Sequence, residues 1–482
     1  MTTSAETTSA ATDHAPLLER AFEIEVAEGA WDLVADGSIP SFVRGAYYLN
    51  GPSRFRVGEV AYRHWLDGDG AVSRLAFDGS STVRFTHRFV RSRKWTDEQD
   101  ADAAVYRTFG TAFEGDQLKK RIALESPANV SAFRFGDDLL AFGEQSLPYA
   151  LDPETLDTRG EHTFGGRLNA ISPISAHPCL DPTSGEMFNF GISFSARQPS
   201  LTLYRWAADG ELIFRRRHPL PYPCSTHDFI LGPDHVIFYH SPHLLDVGAM
   251  MSGTASIQDA LSWQPERGSV LRVYGRDAGD LVAEVPIGER YCLHLVNAFD
   301  DGERLVLDVV ELDRPVYEEY TPLPNLFGDA PAGGPRRLII DRRTWQIVDR
   351  SAIVYDVCPD FPAIDPRLEQ QPYDDLWLLG MRHQGRPGRK FFDQVAHLCW
   401  STPDVPDLWT APDRCYLGGE PIFLGDPETT ERGSVICQQF DAEQRTSSFL
   451  LFDAFDIAAG PIARLPVPHA MPLGFHASFV PT

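Results

Sequence analysis

The chain has 482 residues, of which 43% are hydrophobic and 23% charged, so it is able to bury a large core. Its formal net charge of −25 argues against binding to a nucleic-acid backbone, because such binding needs a basic face. The charge is typical of a soluble protein whose partner is neutral or small. No run of the sequence reaches the roughly 18 apolar residues that a membrane span requires.

Residues 1–18 are predicted to form a disordered leader. The stretch MTTSAETTSAATDHAP is rich in Thr, Ser and Ala, and it has neither the basic nor the apolar segment of a signal peptide. Residues 19–482 are then expected to form a single domain. The seven cysteines occur singly and without a CxxC pair, which indicates reduced thiols in a cytoplasmic protein. They are Cys179, Cys224, Cys292, Cys358, Cys399, Cys415 and Cys437.

Short apolar runs separated by Asp and Gly indicate strands and turns along most of the chain. One pattern, a strand followed by a polar turn and a second strand, recurs at intervals of roughly 50 to 80 residues. The seven predicted hairpins begin at Val72, Tyr149, Leu201, Val270, Arg337, Val395 and Phe449.

A two-stranded hairpin cannot bury its own faces, so each of these units has to pack against its neighbours. Seven similar units favour an all-β, seven-bladed β-propeller, in which the blades pack radially around an axis. The alternative is a β-sandwich, although its strands follow one another at shorter spacing. The apolar tail PLGFHASFVPT is predicted to close the propeller as an inner strand, with Gly474 allowing a close backbone approach.

Four of the 15 histidines lie in apolar, strand-like surroundings between hairpins or after the last one. A lone histidine is usually an ordinary surface or core residue, and no two of these four share a helix face as in an HExxH site. On a propeller, however, each would come from a different blade and point toward the common axis. The four are His177, His227, His294 and His476.

The other three blades each carry a candidate acid. Metal-bound imidazoles usually donate their second N–H to a carboxylate or a carbonyl group, which fixes the ring. Four imidazoles and three acids, one from each blade, would therefore surround one axial metal ion. The alternative is that these acids, which lie next to Pro or Gly, cap turns. They are Glu144, Asp360 and Glu420.

At these residues the sequence resembles the carotenoid cleavage oxygenases, including bacterial apocarotenoid oxygenases and stilbene-cleaving relatives. The resemblance runs from about residue 37 to the C-terminus, and its motifs occur in the family's order. They are GSIPSFVRGAYYLNGPSRF, HWLDGDGAV, SAHP, HDF, HLVNAF, GEPIF and GFH. The resemblance implies a seven-bladed propeller with a loop or helical cap, and one non-haem Fe(II) held by the four histidines with the three acids behind them.

The sequence departs from the family pattern at several positions. Asp360 replaces the usual Glu, so a direct hydrogen bond to its histidine would need a backbone shift or a bridging water. Ala477 follows the GFH motif where Gly is usual. Leu293 stands where a second His often precedes His294. Val130, in SPANVSAF, occupies the place of a family Thr or Val beside an open position of the iron.

The resemblance implies that Fe(II) and O2 cleave a C=C bond of a small hydrophobic alkene into two carbonyl products. Stilbene-cleaving relatives place Lys just before the first acid and Tyr or Trp near the outer strand of the first blade. Here these residues are interpreted as Gly143 and Phe89, which favours a carotenoid or apocarotenoid substrate. The alternatives are a stilbenoid- or phenylpropanoid-cleaving dioxygenase and, in another class, a metal-free propeller that serves as an interaction scaffold.

Residues 243–263, HLLDVGAMMSGTASIQDALSW, are rich in Leu, Met and Ala. A long polyene is almost insoluble, so this segment is predicted to form a tunnel mouth that touches a membrane surface. The alternative is a connection between blades whose apolar side chains are buried. The net charge of −25 opposes binding to anionic lipid, so any contact would be weak and hydrophobic, and the protein is expected to be cytoplasmic.

Overall fold

The structure, a computed structural model, describes residues 13–482 except 121, 122, 196, 252, 254 and 356. Its main feature is a series of seven antiparallel sheets, each of four or five strands. Each sheet contains one of the predicted hairpins as two neighbouring strands. The predicted seven-bladed β-propeller is therefore confirmed, and the sandwich alternative is wrong.

The blades are numbered in chain order by their hairpins. Blade 1 contains Gly29–Val34, Arg44–Arg54, Asp69–Asp78, Thr82–Phe89 and Ala477–Pro481. Blade 2 contains Ser131–Phe135, Asp138–Phe142, Tyr149–Leu151 and Thr158–Glu161. Blade 3 contains Cys179–Leu180, Met187–Ser193, Ser200–Trp206 and Leu212–Pro219. Blade 4 contains Ile230–Leu231, His235–His240, Ser269–Gly275 and Leu281–Gly288.

The last three blades complete the ring. Blade 5 contains Tyr291–Asp301, Arg304–Leu312, Gly333–Asp341 and Gln346–Ala352. Blade 6 contains Cys358–Ala363, Asp375–Met381, Gln394–Cys399 and Asp407–Thr410. Blade 7 contains Asp36–Gly37, Cys415–Gly425, Gly433–Asp441, Thr446–Asp453 and Pro461–Pro466.

Smaller elements connect the blades. Two ribbons pair Arg56–Val57 with Val60–Ala61, and His243–Leu245 with Leu261–Trp263. The α-helices are Arg93–Ala101, Val247–Met251 and Ile257–Ala260. The 3-10 helices are Leu18–Ala21, Trp65–Asp67, Pro265–Arg267, Tyr317–Tyr320, Pro366–Leu368 and Ile457–Ala459. Among the described residues, no helix is long and apolar enough to cross a membrane.

The two ends of the chain close the ring by exchanging strands. The C-terminal strand Ala477–Pro481 pairs with Arg44–Arg54 in blade 1, and the early strand Asp36–Gly37 pairs with Pro461–Pro466 in blade 7. Residues distant in sequence are thus joined by backbone hydrogen bonds. The prediction that the tail is a strand is confirmed. Its apolar residues belong to the core, since Leu473 and Phe475 are at most 3% exposed.

The predicted leader, residues 1–18, falls into two parts. Residues 1–12 lie outside the described part of the chain. From Asp13 onward the chain packs on the propeller, because Asp13 pairs with Arg389 at 2.7 Å and both Ala15 and Leu18 are fully buried. The packed chain therefore begins before the expected boundary at residue 19, since these apolar side chains join the main core.

Candidate metal centre

The four predicted histidines meet on the propeller axis. His177 and His227 lie just before the first strands of blades 3 and 4, His294 lies in the first strand of blade 5, and His476 lies just before the last strand of blade 1. Their potential ligand atoms all lie within 4.8 Å of one another. Nε2 of His227 lies 2.8 Å from Nε2 of His177 and 3.2 Å from Nε2 of His294.

These separations fit a bound metal ion. Two imidazoles that bind one ion at right angles, with metal–nitrogen distances of about 2.1 Å, hold their nitrogens about 3.0 Å apart. The two measured separations bracket this value, and the rings of His177 and His476 stand nearly perpendicular at 83°. Imidazole suits iron, zinc, copper and nickel alike, so the donor set indicates a transition-metal centre without selecting the metal.

Burial governs the protonation of these rings. The pKa values of His177 and His476 are well below the usual range, because burial disfavours the charged ring and the neighbouring imidazoles repel it. Burial also disfavours the charged ring of His294, but the carboxylates of Asp360, Asp228 and Glu420 outweigh this effect, and the pKa of His294 is raised. Neutral imidazole is the form that binds a metal ion, so His177 and His476 are ready to serve as ligands.

Asp360 contacts His294 directly, although its side chain is one methylene shorter than the Glu usual in the family. Oδ1 of Asp360 lies 2.6 Å from Nδ1 of His294. The strand Cys358–Ala363 loses register with its neighbour just after Asp360, and Phe361 has a φ of +55°. Such a bulge re-aims a side chain. The irregular backbone thus replaces the missing methylene, and the expected alternative of a bridging water is not needed.

The other two predicted acids stand behind two further ligands. Oε1 of Glu144 lies 2.7 Å from Nδ1 of His227, although the N–H is not aligned with this oxygen. Oε2 of Glu420 lies 3.4 Å from Nδ1 of His476. Burial raises the pKa of Glu420 to about 8, with His294 acting in the opposite direction. Both acids therefore face the ring nitrogen that points away from the axis, as expected of groups that orient a ligand.

Asp228, which the sequence patterns do not indicate, lies near His177. Its Oδ1 is 3.8 Å from Nδ1 of His177, which is too far for a hydrogen bond. The carboxylate oxygens instead accept hydrogen bonds from the backbone N–H groups of Phe229, with an N–O distance of 2.7 Å, and of Leu295, with an N–O distance of 2.8 Å. Asp228 thus ties the segment of His227 to the strand that carries His294. The available signal in the sequence is its place in the HDF motif, directly after His227.

A small cavity adjoins three of the histidines. Val130, predicted to lie beside an open position of the metal, is part of its wall and is 1% exposed. The carbonyl oxygen of Val130 also accepts the N–H of His476 at 3.2 Å. The wall is otherwise apolar and aromatic, which suits the non-polar part of an organic molecule. The lining residues are Leu66, Val130, His227, Leu293, His294, Tyr317, Tyr320, Phe361, Phe475 and His476.

Phe89, predicted as a pocket residue, is not among the residues that line this cavity. It ends the strand Thr82–Phe89, and its ring lies 6.1 Å from the ring of Trp95. Other aromatic residues lie against the cavity wall, among them Phe109 and Trp65. The ring centre of Phe109 is 5.5 Å from that of Tyr317, and the ring centre of Trp65 is 4.4 Å from that of Phe475.

Residues 243–263 are called the 243–263 segment. It contains the ribbon of His243–Leu245 with Leu261–Trp263 and the two short helices Val247–Met251 and Ile257–Ala260. Leu245, Met250 and Ala260 are buried in a cluster of their own. Met251, by contrast, is 47% exposed. Arg107 holds this segment by donating hydrogen bonds to the carbonyl groups of Met250, Gly253 and Ala255.

Comparison with known proteins agrees with the fold. The family model of the retinal pigment epithelial membrane protein, RPE65, matches residues 21–481. The apocarotenoid-15,15'-oxygenase of Synechocystis sp. is 28% identical, with 94% of this chain and 93% of that protein covered. The isoeugenol monooxygenase of Pseudomonas nitroreducens is 25% identical, with 94% and 95% covered. The resveratrol cleavage oxygenase 1 of Aspergillus fumigatus is 27% identical, with 92% and 91% covered.

Solved structures show the same likeness. The crystal structure of cobalt-substituted Synechocystis ACO, the apocarotenoid oxygenase, aligns with a TM-score of 0.89 at 26% identity, and the alignment covers 98% of this chain and all of that one. An ACO/RPE65 chimera aligns with a TM-score of 0.88 at 26% identity, covering 97% and 98%. With the family model matching nearly its whole length, the chain belongs to the RPE65 family of carotenoid oxygenases.

Proposed function

We propose that the protein is a non-haem iron dioxygenase that cleaves a C=C bond of a carotenoid or apocarotenoid into two carbonyl products. The observation that carries this proposal is the convergence of four imidazoles beside a cavity with an apolar and aromatic wall. An alkene has no charge to neutralise, so such a wall suits it. One Fe(II) per chain, held by His177, His227, His294 and His476, would supply the activation of O2.

In this reaction the residues of the chain would hold the ion and position the alkene. Glu144, Asp360 and Glu420 face the outer nitrogen of three rings and so keep the inner nitrogens on the axis. Val130 and Tyr317 form part of the wall that keeps the alkene close and excludes water. Both atoms of O2 end in the two carbonyl products, so no external reductant and no acid–base pair are required.

The environment of Gly143 supports a carotenoid rather than a hydroxystilbene. A Cβ atom at Gly143 would lie 2.4 Å from Oγ of Ser126 and 3.1 Å from the backbone nitrogen of Ala128. A lysine, which stilbene-cleaving relatives carry at this position, would therefore require the Ser126 hydroxyl to move away. Phe89 adds nothing to this argument, because it is not among the residues lining the cavity.

Cleavage of a stilbenoid or phenylpropanoid is the second candidate. Tyr317 and Tyr320 line the cavity and carry hydroxyl groups that a phenolic substrate could use. A buried phenol needs such a hydrogen-bond partner, whereas a polyene does not. Relatives named for isoeugenol and resveratrol also match more than nine-tenths of the chain.

Iron-loaded protein is expected to convert an apocarotenal into two shorter carbonyl products, each of which takes one oxygen atom from isotopically labelled O2. The measurement is product mass after parallel incubations with an apocarotenal, isoeugenol and a hydroxystilbene. Turnover of a phenolic substrate alone would replace the first candidate by the second. Protein that binds no iron after anaerobic loading with Fe(II) would support the interaction scaffold instead.

We further propose that the protein is cytoplasmic and makes a weak contact with a membrane surface through the 243–263 segment. It would collect its insoluble substrate from that membrane. The exposed Met251 supports this contact, and the net charge of −25 disfavours an anionic surface. Met251→Asp is expected to reduce co-sedimentation with neutral phosphatidylcholine vesicles. The control is Val405→Asp, since Val405 is 70% exposed and lies in blade 6. Equal binding of the two variants would contradict the proposal.

A further inference from the structure

A second group of metal-binding side chains lies in the second and third strands of blade 6. His397 and Cys399 are two residues apart in Gln394–Cys399, so both project from one face of that strand. Asp375 stands directly opposite Cys399 on the neighbouring strand, which brings its side chain to the same face. Their potential ligand atoms all lie within 4.8 Å of one another. The axial acid of this blade, Asp360, belongs to its first strand instead.

The distances among the three side chains are close to those of a zinc site. Sγ of Cys399 lies 3.3 Å from Oδ1 of Asp375 and 3.5 Å from Nε2 of His397, and this nitrogen lies 2.8 Å from the same oxygen. Tetrahedral zinc would need about 3.5 Å between sulfur and either of the other donors, and about 3.3 Å between nitrogen and oxygen. The three donor atoms therefore fit a tetrahedral zinc ion if the carboxylate moves by roughly half an ångström.

The ring of His397 is held firmly in place. It stacks on Trp377 with ring centres 5.2 Å apart and an angle of 13°, and Phe455 meets its edge at 5.7 Å. Trp377 is itself 1% exposed, and its Nε1 donates to the carbonyl of Ala454 at 2.7 Å. The Asp375 side chain is 35% exposed, which leaves a route to solvent. The site therefore combines an oriented imidazole with an open side where a water could complete the coordination.

The same residue types also occur in nucleophilic triads, but the geometry here is different. A triad uses one ring nitrogen of the histidine for the acid and the other for the nucleophile. In this cluster Nε2 of His397 faces both Asp375 and Cys399. The acid and the thiol are therefore not on opposite sides of the ring, as a triad requires.

We propose that Asp375, His397 and Cys399 form a second metal site, which takes Zn²⁺ with a water as the fourth ligand. Thiolate, imidazole and carboxylate are all ligands of zinc, and the axial centre offers imidazoles only. Binding forms a zinc–sulfur bond and releases the thiol proton of Cys399 to solvent, while His397 binds as the neutral ring. The ion would join two strands of blade 6, and the two sites would prefer different metals.

Co²⁺ serves as the spectroscopic probe, because cobalt bound to a thiolate gives a sulfur-to-metal charge-transfer band that the all-imidazole centre cannot produce. Full-length protein is expected to bind two equivalents of Co²⁺ and to show this band. Cys399→Ser is expected to bind one equivalent without the band. The matched control is Cys415→Ser, since Cys415 is a free cysteine in the neighbouring blade 7. Added Zn²⁺ is expected to displace the cobalt and remove the band.

Wild-type protein that binds a single equivalent and shows no band would overturn the proposal, as would a band that persists in Cys399→Ser. Thermal unfolding of Cys399→Ser is measured first, and His397→Ala provides a second variant that must also lose the band. The axial site is tested separately. His476→Ala is expected to lose the axial ion and keep the band, so failure of the proposed function and failure of this second site give different results.

Discussion

The variant His476→Ala is expected to bind iron at least about 100-fold more weakly than the wild type, a loss of about 2.8 kcal/mol, and to lose double-bond cleavage. The substitution removes one of the four converging ligand nitrogens. It leaves the backbone in place, because the N–H of His476 bonds to Val130 and its carbonyl accepts the N–H of Asn50. The substitution should therefore reduce the bound iron without destabilising the metal-free protein.

The measurement is the iron content after anaerobic loading, together with the rise in melting temperature that Fe(II) produces. A ligand that binds only the folded state stabilises it, so weaker binding reduces this rise. The control is His469→Ala, since His469 is exposed and precedes the tail. Stoichiometric iron and full turnover in His476→Ala would remove His476 from the ligand set.

Deletion of residues 476–482 should have a different result from the point substitution. The deletion removes His476 together with the strand Ala477–Pro481, which pairs with Arg44–Arg54 and completes blade 1. Iron binding should be weakened at least about 100-fold in the point variant and abolished in the truncated chain. The melting temperature of the metal-free protein should fall only in the truncated chain, because only there is the closure of the ring lost.

The sequence predicts those parts of the fold in which the paired strands are neighbours along the chain. Every predicted hairpin became the two adjacent strands of a blade, because a strand, a tight turn and a second strand pair without help from distant residues. The strand Asp36–Gly37 shows the limit. Two residues carry no alternation of apolar and polar side chains, and their partner, Pro461–Pro466, lies at the other end of the chain.

Gly474 illustrates a prediction that the packing explains. It lies against Gly51, where an added Cβ atom would be 2.5 Å from the Cα of Gly474. A Cβ atom on Gly474 itself would be 2.8 Å from the side chain of Leu49. Both glycines thus permit the tail to approach the strand Arg44–Arg54 closely enough for His476 to reach the axis. The GFH motif indicates that Gly474 allows a close backbone approach, whereas its packing partner Gly51 is evident only from the structure.

The sequence indicates the histidines of the site more directly than the residues around them. The family motifs mark the four histidines in chain order, and the structure brings them together. The interpretation of Phe89 depends on an approximate place on an outer strand, where a shift of one residue moves a side chain to the other face. Asp228 has backbone N–H groups as partners, and such partners leave no pattern in a sequence.

Asp360→Asn is the second substitution with a large expected effect, a loss of about 10- to 100-fold in metal affinity. Asn keeps the shape of the side chain but removes the negative charge that lies 2.6 Å from Nδ1 of His294. This charge makes the imidazole a stronger ligand and fixes its orientation. Asp404→Asn is the matched control, because Asp404 is exposed in the last turn of blade 6.

The pH dependence of metal binding separates this electrostatic role from simple packing. In the wild type, Asp360 raises the pKa of His294, so protons compete with the metal as the pH falls through this raised pKa. Removing the carboxylate lowers the pKa of the ring. In a plot of apparent metal affinity against pH, the pH below which the affinity begins to fall should therefore be lower in Asp360→Asn, although the affinity above that pH is weaker. An unchanged onset of this fall with unchanged affinity would show that Asp360 only fills space behind His294.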